Sequence, residues 1–407
     1  MKTVFRVLAA ALAAAAAGLC ALALYVHCTV PDRYILVEGE TLQLARGPFL
    51  TQKTSGAVRG GGSYELDLEM PGGIRVKTVQ VDVVERKRVV PSGEPFGVKM
   101  FTRGVIVVGL SDIPCGGSRC NPARQAGLQS GDIILEIDGE AVNGNRMVGQ
   151  RVEQSGGRTL ELLVQRGPKT MTLQLQPVRS DNDGMWRAGV WVRDSSAGIG
   201  TLTYCDPATG LFTGLGHPIC DVDTGELMPL NSGEVVGVDI TGVRKGETGA
   251  PGELEGSFVN GTVLGRLLDN TDTGVYGTAS AAALAAAAGQ EAVPVAARSE
   301  VTPGPAVILT TLQGSTPQQY EVELEKVDAS PGTDTKNMVL HVTDPRLLEA
   351  AGGIVQGMSG SPILQNGMLV GSVTHVFVND PTRGFGIFAE NVYMGAKQVL
   401  SRQNQAS

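Results

Sequence analysis

The sequence predicts a mainly β chain of two or three domains behind an apolar N-terminal helix. Glycine is abundant, at 55 of 407 residues, as suits many turns between short strands. Runs with helical spacing are scarce beyond the first 30 residues, whereas short runs alternating apolar and polar residues recur, as half-buried strands require. The chain is 42% hydrophobic, enough for more than one core at this length. A formal net charge of −8 argues against nucleic acid as the main partner.

Val7 to Val26 is an uncharged run of mostly Ala and Leu, preceded by Lys2 and Arg6. About twenty apolar residues suffice for a helix to cross a bilayer. Positive residues before the run keep the N-terminus in the cytoplasm and send the rest outside. The run is longer than the apolar part of a usual cleaved signal. Residues 1–27 are therefore expected to form a cytoplasmic start and a transmembrane signal anchor, with the membrane as a partner. Residues 28–95 read as a small β-rich spacer. Tyr64 to Met70 and Ile74 to Val90 contain alternating positions, punctuated by Gly60 to Gly62 and Pro71 to Gly73. The polar, Gly-rich stretch Gly47 to Ser63 is open to proteolysis.

Six cysteines are present. Cys115 and Cys120 share one loop, and Cys205 and Cys220 flank His217. An exported chain can close two disulfides from these pairs; small buried thiols are the alternative. The spacings match no zinc motif, and four histidines offer little for a metal. No metal or cofactor is expected.

In residues 96–178, Ala126-Gly127-Leu128 is followed by Gly131-Asp132-Ile133-Ile134 and Ile137-Asp138-Gly139. This segment resembles a PDZ domain of the bacterial, protease-associated kind. By that resemblance, Phe96, Gly97 and Val98 form the carboxylate-binding loop and Asn145 to Gln154 the helix lining the groove. An extended peptide, a C-terminus or a piece of the same chain, would add to the strand starting near Val98. Asp112 to Arg124, with its two cysteines, is longer than the usual connection. Farther on, Ala279 to Gly289 has strong helix propensity and no evident function.

Near the C-terminus Gly357-Met358-Ser359-Gly360-Ser361-Pro362 carries the Gly-x-Ser-Gly-x-Pro pattern that presents a nucleophilic serine in trypsin-like peptidases. A serine hydroxyl needs a neighbouring base to become a nucleophile. His217 sits in the turn Gly214-Leu215-Gly216-His217-Pro218, which suits a presented side chain. His27 borders the membrane run, and His341 and His375 fall on expected strands. His217 before Ser359 agrees with the chain order His, Asp, Ser. By position the acid is one of Asp221, Asp223, Asp239, Asp269, Asp272, Asp328, Asp334 or Asp344, and residue types do not choose between Asp344 and Asp239.

Val342 to Pro345, Gly352 to Pro362 and Val373 to Pro381 resemble the SpoIVB-type stage IV sporulation serine peptidases. The resemblance covers nearly the whole chain and implies a chymotrypsin-like double β-barrel in residues 179–407. It matches the catalytic histidine to His217, the aspartate to Asp344 and the serine to Ser359. The amides of Gly357 and Ser359 would form the oxyanion hole. The strands Met368 to His375 and Arg383 to Phe388 would wall the specificity pocket, with His375 facing substrate or simply filling the core. Met358 stands where trypsin-like zymogens place an aspartate that pairs with a new N-terminus. Methionine makes no such pair, so activation by N-terminal insertion is not expected.

The family further implies an enzyme secreted from the forespore into the intermembrane space and held to the membrane. It would cleave itself near Gly47 to Ser63 and cut a membrane-associated inhibitor of an intramembrane protease, leading to pro-sigma-K processing. A non-catalytic PDZ scaffold and an HtrA-like envelope protease are the rival readings. In the latter the PDZ domain usually follows the protease.

Overall fold

The computed structural model describes residues 2–30, 33–37, 51–55, 62–70, 73–84, 86–330 and 335–406. It divides into two compact units, Met1–Lys87 and Arg88–Ser407. The first holds the helix Lys2–Thr29 and a four-stranded sheet ordered Arg33–Val37, Ile74–Val84, Gly62–Met70, Thr51–Ser55. The alternation read in Tyr64 to Met70 is realised, with Leu66, Leu68 and Met70 buried. Leu66 and Leu68 share a core with Val79, Val81 and Val26 of the helix. Lys77, nearly buried, donates to the carbonyls of His27 and Val30, groups that a helix end leaves without partners.

The transmembrane expectation is not borne out. A helix forms, but among the described residues no helix is long and apolar enough to cross a membrane. The proposed cleavage stretch, Gly47 to Ser63, lies largely outside the described residues.

In the second unit, six antiparallel strands close a first barrel. Pro95–Leu110 pairs with Leu230–Arg244, then come Glu253–Thr271, Gly274–Ala279, Leu211–Gly214 and Val190–Asp206, which pairs back with Pro95–Leu110. Phe96, Met100, Phe212, Val235 and Val275 fill it. A second closed barrel runs Gly304–Thr310, Gln318–Val327, Met338–Val342, Asp380–Phe388, Met368–Phe377 and Pro362–Gln365. Its core includes Ile308, Leu324, Leu340, Met358 and Ile363. Met358 is fully buried there, so no polar receptor for a new N-terminus stands at that position.

The PDZ-like module does not precede the barrels; it grows out of the first. Its sheet is Lys169–Leu175, Leu160–Arg166, Ile133–Ile137 and the outer half of Pro95–Leu110. The helices Pro122–Gln125 and Asn145–Gln154 belong to it, and its core runs from Val105 to Ala188. The expected boundary at residue 96 thus falls inside a strand that both bodies share. The spacer ends earlier than expected too, because Arg88–Pro91 pairs with the barrel strand Val190–Asp206.

The two long strands pass from barrel to module at a bulge. Thr102 Oγ1 donates to the carbonyls of Gly104, at 2.7 Å, and Asp194, at 3.1 Å. Gly104 has φ +79°, and a Cβ there would lie 2.7 Å from the Ile134 carbonyl oxygen. Such a site requires glycine.

Of the two expected disulfides one forms, Cys115–Cys120, across the hairpin Ile113–Cys115 and Ser118–Cys120. Cys205 and Cys220 are free thiols. The alanine stretch is the helix Ala281–Ala288, capped by Ser280.

Candidate active site

His217 follows the strand Leu211–Gly214 through two left-handed residues, Leu215 at φ +67° and Gly216 at φ +68°. A non-glycine residue in this conformation is strained and holds only where its surroundings fix it. Leu215 is fixed by packing in the first-barrel core. A Cβ at Gly216 would lie 2.7 Å from Ser372 Oγ. The loop beyond is pinned by buried Asn270, which accepts from Ile219 N and donates to the carbonyls of Ile219 and Met228.

The imidazole Nδ1 of His217 lies 2.8 Å from the Pro218 carbonyl. A carbonyl only accepts, so Nδ1 carries the proton and the neutral ring keeps its Nε2 lone pair. Burial holds the His217 pKa below its usual value, and the Pro218 carbonyl opposes this in part. The base is therefore deprotonated and ready at neutral pH.

Ser359 comes from the other barrel. The helix Pro345–Ala351 stops at Gly352, a left-handed C-cap with φ +76°, as glycine allows. The loop that follows is clasped by the first-barrel strand. Thr201 N donates to the Ser359 carbonyl at 2.9 Å, and Thr201 Oγ1 and Thr203 Oγ1 donate to the carbonyls of Gly357 and Gly360, each at 2.8 Å. A Cβ at Gly360 would lie 1.9 Å from the Thr201 carbonyl oxygen, so only glycine fits. Among the described residues, neither Gly357 N–H nor Ser359 N–H finds an acceptor within the chain. Ser359 Oγ donates to the Thr374 carbonyl at 2.7 Å.

Ser359, Gly357 and His217 open onto one cavity of about 280 Å³. Val98, Ile199, Leu215, Ile219, Cys220 and Gln356 are among its other lining residues, and among the described residues none of its lining carries a carboxylate, ammonium or guanidinium.

Asp344 makes no hydrogen bond or ion pair with His217. It caps the helix Pro345–Ala351, accepts from Arg346 at 2.7 and 3.1 Å and from Glu321 N at 3.3 Å, and is almost fully buried. The Arg346 guanidinium holds its carboxyl down at about 2. Among the described residues no acidic side chain bonds to His217. Asp221 and Asp223 are taken by Arg193, and Asp269 by Arg402. Asp334 lies outside the described residues.

His375 is likewise not in the cavity lining. Its ring stacks on His217 with centroids 4.9 Å apart and planes tilted by 37°. Burial, then the charges of His217 and Lys336, push its pKa down to about 4.

The peptide-binding assignment of Phe96, Gly97 and Val98 is overturned. Phe96 is fully buried in the barrel core, and Gly97 pairs with Ile199 on one side and Val236 on the other. With both edges used, no peptide can add there. A groove does lie along the module helix Asn145–Gln154. Its other wall is Val190 to Val192, which pairs with the Pro95–Leu110 strand on one edge only. Between them is a cavity of about 570 Å³, lined by Val148, Val152, Trp186 and Trp191 among others.

Sequence reasoning missed Thr201, Thr203, Asn270 and the Thr374 carbonyl. For the first two a signal existed: two threonines two residues apart put both hydroxyls on one face of a strand. Nothing in the sequence marks Asn270 or a backbone carbonyl.

Residues 184–393, just over half of the chain, match the family described as SpoIVB peptidase S55. Residues 121–166 match the PDZ domain. The putative serine protease HhoB of Synechocystis is 39% identical over 107 residues, 26% of this chain and 23% of that protein. The chain thus covers less than a quarter of this relative's length. Among solved structures, the Rv3671c protease in its inactive form, 12% identical, aligns over 49% of this chain and 84% of its own, with a TM-score of 0.29. The PDZ domain of a Listeria monocytogenes SdrC-like protein, 23% identical, aligns over 22% and 87%, with a TM-score of 0.18. Neither structural likeness is close enough to bear on function.

Proposed function

The chain belongs to the SpoIVB peptidase S55 family and is a serine peptidase, and from that premise we propose that Ser359 is its nucleophile and His217 its general base. The observation that carries this is the shared cavity, into which a buried neutral imidazole, a serine and two unpaired amides open together. Ser359 Oγ leaves the Thr374 carbonyl by rotation about its side-chain bond and attacks the peptide carbonyl carbon. His217 Nε2 takes the hydroxyl proton as the new C–O bond forms. The oxyanion accepts from Gly357 N–H and Ser359 N–H. The C–N bond breaks, and His217 returns the proton to the departing amine. Water then gives a proton to His217 and its oxygen to the acyl carbon. The ester bond breaks, and Ser359 regains its proton.

The absence of ionic groups from the cavity lining supports substrates with an uncharged side chain at this place, since an unpaired charge would lose hydration there. The module's groove, with its open strand edge, supports binding of an extended peptide by strand addition.

Family membership supports the finer reading: self-cleavage, then cutting of a membrane-associated regulator during sporulation, leading to pro-sigma-K processing. Export fits the Cys115–Cys120 disulfide, a bond that persists in oxidising compartments. Purifying the full chain and its Ser359→Ala variant from a sporulating host, and sequencing both N-termini, tests this. A shortened parent beside an uncut variant is expected. Equal shortening of both would sink self-cleavage by this serine.

A further inference from the structure

We infer that the open strand edge beside Ser359 holds the departing side of the substrate, and that Gly198 sets its specificity by leaving room for a large apolar residue there. This deepens the assignment of Ser359 and His217 made above and rests on it.

The edge is defined by its pairing. The strand Val190–Asp206 pairs with Pro95–Leu110 without a register shift from Ser195 to Thr201. In such a run the backbone groups of alternate residues point to opposite edges. Thr201 N donates to the Ser359 carbonyl, away from Pro95–Leu110. The N–H and C=O groups of Ile199 and Ala197 therefore face that same outer edge. From Thr201 onward the edge is occupied, by Leu215 N and the strand Leu211–Gly214. Among the described residues no strand pairs with Ala197 or Ile199 on this side. An extended peptide adds to such an edge through its own backbone. A strand rises about 3.3 Å per residue, so a peptide residue paired with Ile199 lies about 7 Å along from the hold on the Ser359 loop.

The side of the cut follows from the base. Ser196, Gly198 and Ile199 line the catalytic cavity together with His217, Pro218 and Cys220. All six belong to the first barrel's part of the chain, whereas the oxyanion amides lie on the loop of the second. His217 hands its proton to the departing amine. The part of the substrate lying along the base's own barrel is thus the departing part.

Gly198 decides what fits. Glycine weakens a strand interior and often marks close approach by a ligand or another backbone. At neighbouring glycines the reason lies inside the protein. A Cβ at Gly97, Gly200 or Gly214 would sit 2.5, 2.2 or 2.8 Å from Phe258, Leu215 or Phe96. A Cβ at Gly198 would meet nothing within 4 Å, and its backbone is not left-handed. Neither packing nor conformation demands glycine there. Side chains two apart share a face, and a Cβ at Gly200 points at Leu215, another lining residue. A side chain at 198 would therefore project into the cavity, among Val98, Leu215 and Ile219. Burying a leucine or phenylalanine of the substrate in that space is favourable.

The test uses the full chain, its variants Ser359→Ala, Gly198→Ala and Gly198→Val, and denatured casein. Mass spectrometry of the new N-termini reads the departing side directly. Leu, Phe, Met and Ile should be enriched at the first or second residue after the cut. Two synthetic peptides built on the strongest cut, with Leu or Ala at that residue, should differ in kcat/KM by about tenfold or more. Gly198→Val should abolish or reverse this preference, while p-nitrophenyl acetate, which has no residue on the departing side, is hydrolysed within about twofold of the parent rate. If Ser359→Ala is inactive but Gly198→Val keeps the parent's preference, or the new N-termini show no apolar enrichment, the inference is wrong and the catalytic pair stands. If Ser359→Ala still cleaves, both fail. Should Gly198→Val also lose the ester activity, Gly198→Ala decides: a preference cut at least threefold supports the inference, and an unchanged one overturns it.

Discussion

The second barrel closes on itself from Gly304 to Phe388 and carries the nucleophile on a loop entered from a capped helix. The first barrel carries the base, and two of its strands run on into another body. Pro95–Leu110 and Val190–Asp206 pair once inside the barrel and again inside the PDZ-like module. The same Val190–Asp206 strand then reaches Thr201 and Thr203, which clasp the Ser359 loop. The difference is instructive. The second barrel closes within itself and its serine loop is held from outside by the first barrel, whereas the base's barrel shares two strands with the PDZ-like module. The strand that clasps the nucleophile's loop is thus the same strand that enters the module.

The largest break in this comparison comes from the two reacting side chains, one per barrel. Ser359→Ala and His217→Ala should each lower kcat for casein by about 10⁴-fold or more, and the double variant should lose little further, since residues acting as a unit are not additive. Independent, multiplying losses would separate the barrels chemically.

Next comes the clasp. Gly360→Ala forces a methyl carbon against the Thr201 carbonyl and should cost about 3 kcal/mol or more of stability, seen as a lower denaturation midpoint. An unchanged midpoint would mean that the two barrels do not meet as described.

Asp344→Asn sharpens the second barrel's side. Removing a buried partner of Arg346 and a helix cap should cost about 1–3 kcal/mol while kcat of the folded enzyme changes less than tenfold. The pH dependence has a definite sign. The carboxyl's pKa falls from an ordinary 3.8 to about 2 on folding, so its contribution is complete above about pH 4. It is lost as pH falls from there towards 2, because the unfolded chain then binds the proton first. Urea midpoints of parent and variant should therefore converge at low pH.

The smallest expected effect concerns the cavity. Peptides placing Lys or Glu there should be cleaved about tenfold more slowly than those placing Ala or Val, read as kcat/KM.

Much of this arrangement was legible in the sequence. Gly-x-Ser-Gly-x-Pro demands a turn that only glycines permit, and Leu215-Gly216 before His217 reads as a presenting turn; both were seen. Pairing partners were not legible. Phe96-Gly97-Val98 alternates as a groove strand or a barrel strand would, and periodicity does not say which chain segment, about a hundred residues away, will lie beside it. Asp344-Pro345 at a strand-to-helix corner reads equally as a triad acid or a helix cap. Arg346, two residues on, decides for the cap, but only once its guanidinium is seen to fold back. The apolar run at Val7 to Val26 supported a helix, and a helix formed; length and apolarity alone did not establish a span.

The most direct test of the central claim is labelling with a fluorophosphonate, which phosphonylates only an activated serine, followed by peptide mass spectrometry. The account predicts one adduct, on Ser359, formed by the parent chain and lost in His217→Ala. An adduct on another serine, or undiminished labelling of Ser359 without His217, would contradict it.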